Sequence, residues 1–149
     1  MAEIGLAASI IAVIQISEDV ITHAYKYGKA VKNAENDINK INEDLKGVQD
    51  ILKKLENLAE RAENSERPSW PTLISLIEEN GPLSQCKSAL RSLKGELAPA
   101  EGLVKLTRRL QWPHKAKNVR TLVEKINTQK EYFLKALSID EAYVDAPIL

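Results

Sequence analysis

From Val31 to Ala62 apolar residues recur at alternating spacings of three and four. Val31, Ala34, Ile38, Ile41, Leu45, Val48, Leu52, Leu55, Ala59 and Ala62 form this series, and mainly Lys, Glu, Asn and Asp lie between them. Such a rhythm, held over about four and a half heptads, predicts one long helix with a single apolar stripe. Its seam, centred on Ile38, Ile41, Leu45, Val48, Leu52 and Leu55, must pack on other helices of the chain or on a second copy. The segment before it reads differently. Ile4, Leu6, Ile10, Ile11, Val13, Ile14 and Ile16 cover nearly every side of a helix expected from about Glu3 to Tyr27, with Gly28 as its stop. A helix apolar all round is either central to a bundle or bound for a membrane.

Further along, Ser65, Pro68, Ser69 and Pro71 mark a loop, and a short helix is expected over Pro71 to Glu79. Asn80-Gly81-Pro82 reads as a stop followed by a start, with proline in the first turn. Leu83, Cys86, Leu90, Leu93 and Leu97 give the next stripe, ending near Pro99. A short helical stretch from Leu103 to Leu110 follows. Trp112-Pro113 then breaks the chain and opens a last long helix to about Ser138, faced inward by Val119, Leu122, Ile126 and Phe133, with Val123 and Leu137 beside them. Residues 140–149 lack helical periodicity and read as a tail or linker. No segment shows strand alternation. The expected fold is all-α: an up-and-down four-helix bundle over 1–139 with one or two short extra helices.

Composition agrees with one helical domain. The 149 residues suffice for a buried core. Apolar residues make up 44% and aromatics only 5%, a mixture that suits packed helices. Lys plus Arg and Asp plus Glu each number 21, giving zero net charge, which argues against a nucleic-acid partner. A single cysteine, Cys86, forms no internal disulfide and points to a reducing, cytoplasmic setting. It lies on an apolar stripe, as a buried structural thiol would. His23 and His114 fit no metal-ligand pattern, and the scattered glycines form no phosphate loop. The sequence carries no enzyme site, no metal site and no cofactor motif, so its function is expected in binding or assembly.

Two features point outward. Residues 4–17 contain no charge. As a helix this stretch spans roughly 21 Å, short of a bilayer core of about 30 Å. Glu3 stands where a signal peptide needs basic residues. Gly5 with Ser9, and Ala8 with Ala12, set small residues four apart, which allows close helix approach in a core or in lipid. The second feature is a basic block. No acidic residue lies between Glu101 and Glu124, while Lys105, Arg108, Arg109, Lys115, Lys117 and Arg120 do, beside Trp112 and His114. Such a block attracts anionic headgroups, or is a solvated face balanced by acidic helices elsewhere.

The opening residues 1–15, Met-Ala-Glu-Ile-Gly-Leu-Ala-Ala-Ser-Ile-Ile-Ala-Val-Ile-Gln, resemble the start of fungal HeLo-like domains, the N-terminal domains of fungal NOD-like (STAND) receptors. Gly81-Pro82-Leu83 followed by Cys86, Leu110-Gln111-Trp112-Pro113 before a basic helix, and Glu131 to Asp140 are similar to later segments of that family. Tyr143-Val144-Asp145-Ala146-Pro147 looks like the junction before a nucleotide-binding NACHT module. The resemblance implies a four-helix bundle similar to that of the mixed-lineage kinase-like executioner of necroptosis. It implies a cell-death effector of fungal immunity and heterokaryon incompatibility, which moves from the cytoplasm to the plasma membrane when clustered. Ile4, Leu6, Ile10, Ile11, Val13 and Ile14 would then be the inserting face, anionic lipids and further copies of the chain the partners, and a NACHT-type module a neighbour in the natural chain. The alternative is a helical oligomerisation or adaptor domain without lipid activity, pairing through the Ile38–Leu55 seam.

Overall fold

The computed structural model describes residues 5–64, 72–98 and 105–145, with the backbone alone for 105–110 and 141–145. Within these the chain is all-helical. In order come α1 (Leu6–Ala30), a 3-10 turn (Lys32–Ala34), α2 (Glu35–Glu63), a single turn α3 (Leu73–Leu76), α4 (Pro82–Leu97) and α5 (Lys105–Asp145).

The α2 stripe behaves as its spacing demands. Ile38, Ile41, Leu45, Val48, Leu52 and Leu55 are all buried, as are Ala59 and Ala62. They are covered from within the chain, because α2 packs between α1 and α5. The α4 stripe of Leu83, Cys86, Leu90, Leu93 and Leu97 is likewise buried, against α1 and α5. Val119, Leu122, Val123, Ile126 and Phe133 of α5 complete the core. At roughly 1.5–3 kcal/mol per large buried side chain, these stripes are the main force holding the helices together.

Point contacts fix the helix directions. The first turn of α1 meets the end of α2, where Ala7 N donates to Glu63 Oε1 at 2.9 Å. Its last turns meet the start of α2 through Gly28 and Ile38. The end of α4 meets the start of α5, where Asn118 donates to Glu96 Oε1 at 2.8 Å. Asp19 of α1 reaches Lys94 of α4 at 3.3 Å. Thus α1 lies antiparallel to α2 and parallel to α4. Among the described residues α2 and α4 make only marginal contact. Helices α2 and α4 therefore stand on a diagonal with α1 and α5 between them, and α3 packs on α4 and α5.

Four boundaries differ from the sequence reading. Helix α1 runs through Gly28 to Ala30. There glycine is a packing residue, since a Cβ on it would stand 3.0 Å from Ile38 Cγ2 and 3.2 Å from Ile38 Cβ. The expected short helix over Pro71 to Glu79 is only the turn Leu73–Leu76. Trp112-Pro113 does not break the chain, because Pro113 lies inside α5. The lost backbone donor is offset by Trp112, whose buried indole donates to Asp37 Oδ2 at 3.1 Å and packs 5.5 Å from the Tyr27 ring. Finally, α5 continues past residue 139 to Asp145, so 140–145 are helix where a tail was expected. Residues 146–149 lie outside the described residues. The Asn80-Gly81-Pro82 turn does form as expected. Asn80 adopts φ 61, and a Cβ on Gly81 would collide with Glu78 O at 2.9 Å.

Gly28 and Gly95, both inside helices, carry opposite expectations. Gly28→Ala is expected to destabilise by about 1–2 kcal/mol, because Ile38 meets it with its branch point and has no rotamer of escape. Gly95→Ala meets no atom within 4 Å and is expected to stabilise by about 0.5–1 kcal/mol. Urea melts of both, with Gly28→Ala repeated in an Ile38→Ala background where the penalty should vanish, check this.

Candidate functional site

Helix α1 is the feature most in need of explanation. Its 25 residues span about 37 Å, enough to cross a bilayer core. It is the one described helix apolar enough to do so, with a mean hydropathy of 1.3 over its best 18-residue window. Of that window 33% is buried, and a core helix passes the same test of length and apolarity. The expected inserting face is divided by the fold. Leu6, Ile10 and Val13 are buried in the core. Ile11, Ala12, Ile14 and Ile16 are half-buried, and Ile14 and Ile16 pack against the core. Ile4 lies outside the described residues.

Among the described residues, these polar contacts hold the first two-thirds of α1 in place. Gly5, at its N-cap, offers no side chain, and no acidic residue stands in its first turn. Glu63 of α2 supplies the missing acceptor. A carboxylate at the end of its own helix opposes the macrodipole, and beside the start of α1 it is favourable. Further along, Ser17 hydroxyl donates to Ile14 O at 2.6 Å and accepts from Gln49 Nε2 at 3.2 Å, both residues being buried. The Asp19–Lys94 pair is exposed and contributes less than about 1 kcal/mol. Most of what retains α1 is therefore apolar burial, which a lipid environment replaces at little loss.

The basic block is only partly free. Arg120 pairs with Asp37 at 3.4 Å. Lys115 donates to Glu96 O at 3.0 Å and sits 5.9 Å above the Tyr27 ring. Lys117 is exposed. The side chains of Lys105, Arg108 and Arg109 lie outside the described residues.

The chain matches no family model, no curated protein and no solved structure.

Other reactive groups are accounted for locally. Cys86 is buried, and burial pushes its thiol up to about 12, as for a structural thiol. His23 Nδ1 bonds Asp19 O at 2.7 Å within α1. One functional-looking residue escaped the sequence reading. Asp140 is fully buried in α5 and accepts from Thr72 N and Leu73 N, at 3.0 and 2.6 Å, and from the Thr72 hydroxyl. It caps α3 from the far end of the chain. Its only sequence signal is an acidic residue after an apolar helix face, which is indistinguishable from a solvated one.

Proposed function

We propose that this chain is a membrane-targeting effector domain of the HeLo-like kind, folded as an up-and-down four-helix bundle with a diagonal second connection. The observation that carries the reading is α1: bilayer-length, uncharged over 5–17, only half-buried at Ile11 and Ala12, and retained mainly by apolar contacts. In the resting state the bundle keeps Leu6, Ile10 and Val13 inside. Clustering by a receptor, with a NACHT-type module in the same natural chain, raises the local concentration so that several weak insertions act together. Each α1 then exchanges its protein core for the plasma membrane. Lys117, and Lys105, Arg108 and Arg109 at the start of α5, supply cations for headgroups. Lys115 and Arg120 serve the fold first. No catalytic role is assigned to any residue.

The rival reading is a helical adaptor that pairs with itself or a partner without touching lipid. The α2 seam does not favour it, being covered within the chain. What favours it is exposed apolar surface elsewhere, at Ile74, Ile77, Tyr132 and Ile139.

Dye release separates the two. Artificially clustered protein is expected to empty vesicles containing anionic lipid and to spare neutral ones. Intact anionic vesicles, under clustering confirmed by light scattering, would leave the adaptor reading standing.

A further inference from the structure

We propose that the closed protein docks on anionic bilayers through the outer face of α4, with Lys87 and Arg91 taking lipid phosphates and the adjoining α1–α4 groove facing the membrane. The inference rests on the membrane reading above and names the surface that meets the headgroups.

The face follows from the register of α4. With Leu83, Cys86, Leu90, Leu93 and Leu97 turned inward, Ser84, Lys87, Ser88, Arg91 and Ser92 are left together outside. These five line one open hollow of about 460 Å³. No acidic residue occurs between Glu79 and Glu96. The third cation of the helix, Lys94, is engaged by Asp19. Lys87 and Arg91 have no carboxylate partner among the described residues. Two cations and three hydroxyls on one face make a donor-rich surface, matched by phosphate oxygens.

A second hollow, of about 220 Å³, adjoins the first and shares Ser84 and Lys87 with it. Its other walls are Ala8, Ser9, Ala12 and Val13 of α1, with Leu83 and the exposed Ile77. Neither hollow is lined by a carboxylate among the described residues. Basic donors thus run directly into an uncharged, partly apolar groove. A bilayer surface offers the counterpart to both, with phosphates outside and hydrocarbon beneath. An acidic peptide would match only the cations. Docking in this pose also lays Ala8, Ser9 and Ala12 of α1 beside the headgroups before any rearrangement.

Vesicle flotation tests the surface, using phosphatidylcholine alone and phosphatidylcholine with phosphatidylserine. Wild-type protein is compared with Lys87→Ala/Arg91→Ala and with a charge-matched control on the exposed side of α2, Lys53→Ala/Lys54→Ala. All are checked by thermal melts. The expected result is serine-lipid-dependent binding that falls about tenfold or more in the α4 variant and by much less in the control. Equal loss in both variants would mean a response to net charge alone and would overturn the α4 face. Unchanged binding of the α4 variant would overturn it too, while leaving membrane targeting intact. Absence of wild-type binding to either vesicle would overturn docking of the closed protein, while dye release by clustered protein decides the membrane reading separately.

Discussion

Asp140→Ala is expected to lower the stability of the protein by about 2–4 kcal/mol, an effect normally reserved for large core residues. The side chain is wholly inaccessible, and its carboxylate is held by the amides of Thr72 and Leu73 and by the Thr72 hydroxyl. A single turn such as Leu73–Leu76 cannot sustain itself. It persists because Asp140 satisfies its first donors while Leu73 and Leu76 enter the core. Alanine leaves those donors without their acceptor in a place water reaches poorly, and it unfastens α3 from α5. Asp140→Asn keeps one acceptor oxygen and is expected to lose less. Thr72→Val removes only the hydroxyl and should cost about 0.5–1.5 kcal/mol. Urea denaturation of the three variants checks the order. Asp140→Ala within 0.5 kcal/mol of wild type would show that the cap contributes nothing.

That residue also marks where sequence reasoning stopped. Local rhythm was legible: the Ile38–Leu55 seam and the Leu83–Leu97 stripe bury as their three-and-four spacing requires, and Gly81-Pro82 opens α4. What failed were residues whose role is set by a distant partner. Gly28 fits a helix stop equally well as a close approach, and only Ile38 across the gap decides between them. Pro113 suits a helix start as well as an interior, and the anchoring of Trp112 on Tyr27 and Asp37 decides that. Asp140 acts on Thr72, across a separation no periodicity can report. The basic block suffers in the same way. Counted along the chain, Lys115 and Arg120 look available, whereas Glu96 and Asp37 claim them from other helices. Conversely, Lys87 and Arg91 are scattered among serines and leucines in the sequence, and they form a patch only once α4 is folded and its inward face is spent.

The sharpest functional expectation concerns two adjacent isoleucines. Ile10 is fully buried, whereas Ile11 is half-buried on the outer side of α1. Ile10→Asp places a carboxylate in the core without a partner and is expected to unfold the protein, at a cost above about 4 kcal/mol. Ile11→Asp puts the same charge where water already reaches, and the fold should survive with a loss of about 1–2 kcal/mol. Membrane action makes no such distinction. Once α1 leaves the core for lipid, a carboxylate at either position meets hydrocarbon, costing about 2.5–3.5 kcal/mol for each helix inserted. Summed over a cluster, that is enough to abolish release. Ile11→Asp should therefore give a cooperatively folded protein by circular dichroism that no longer empties anionic vesicles, with Ile11→Val retaining activity. Removing 2–16 outright is a poorer test, because it deletes Leu6, Ile10 and Val13 from the core and confounds folding with insertion. A folded Ile11→Asp protein that still releases dye at the wild-type rate would mean that α1 remains a core helix throughout and that another surface disrupts the membrane.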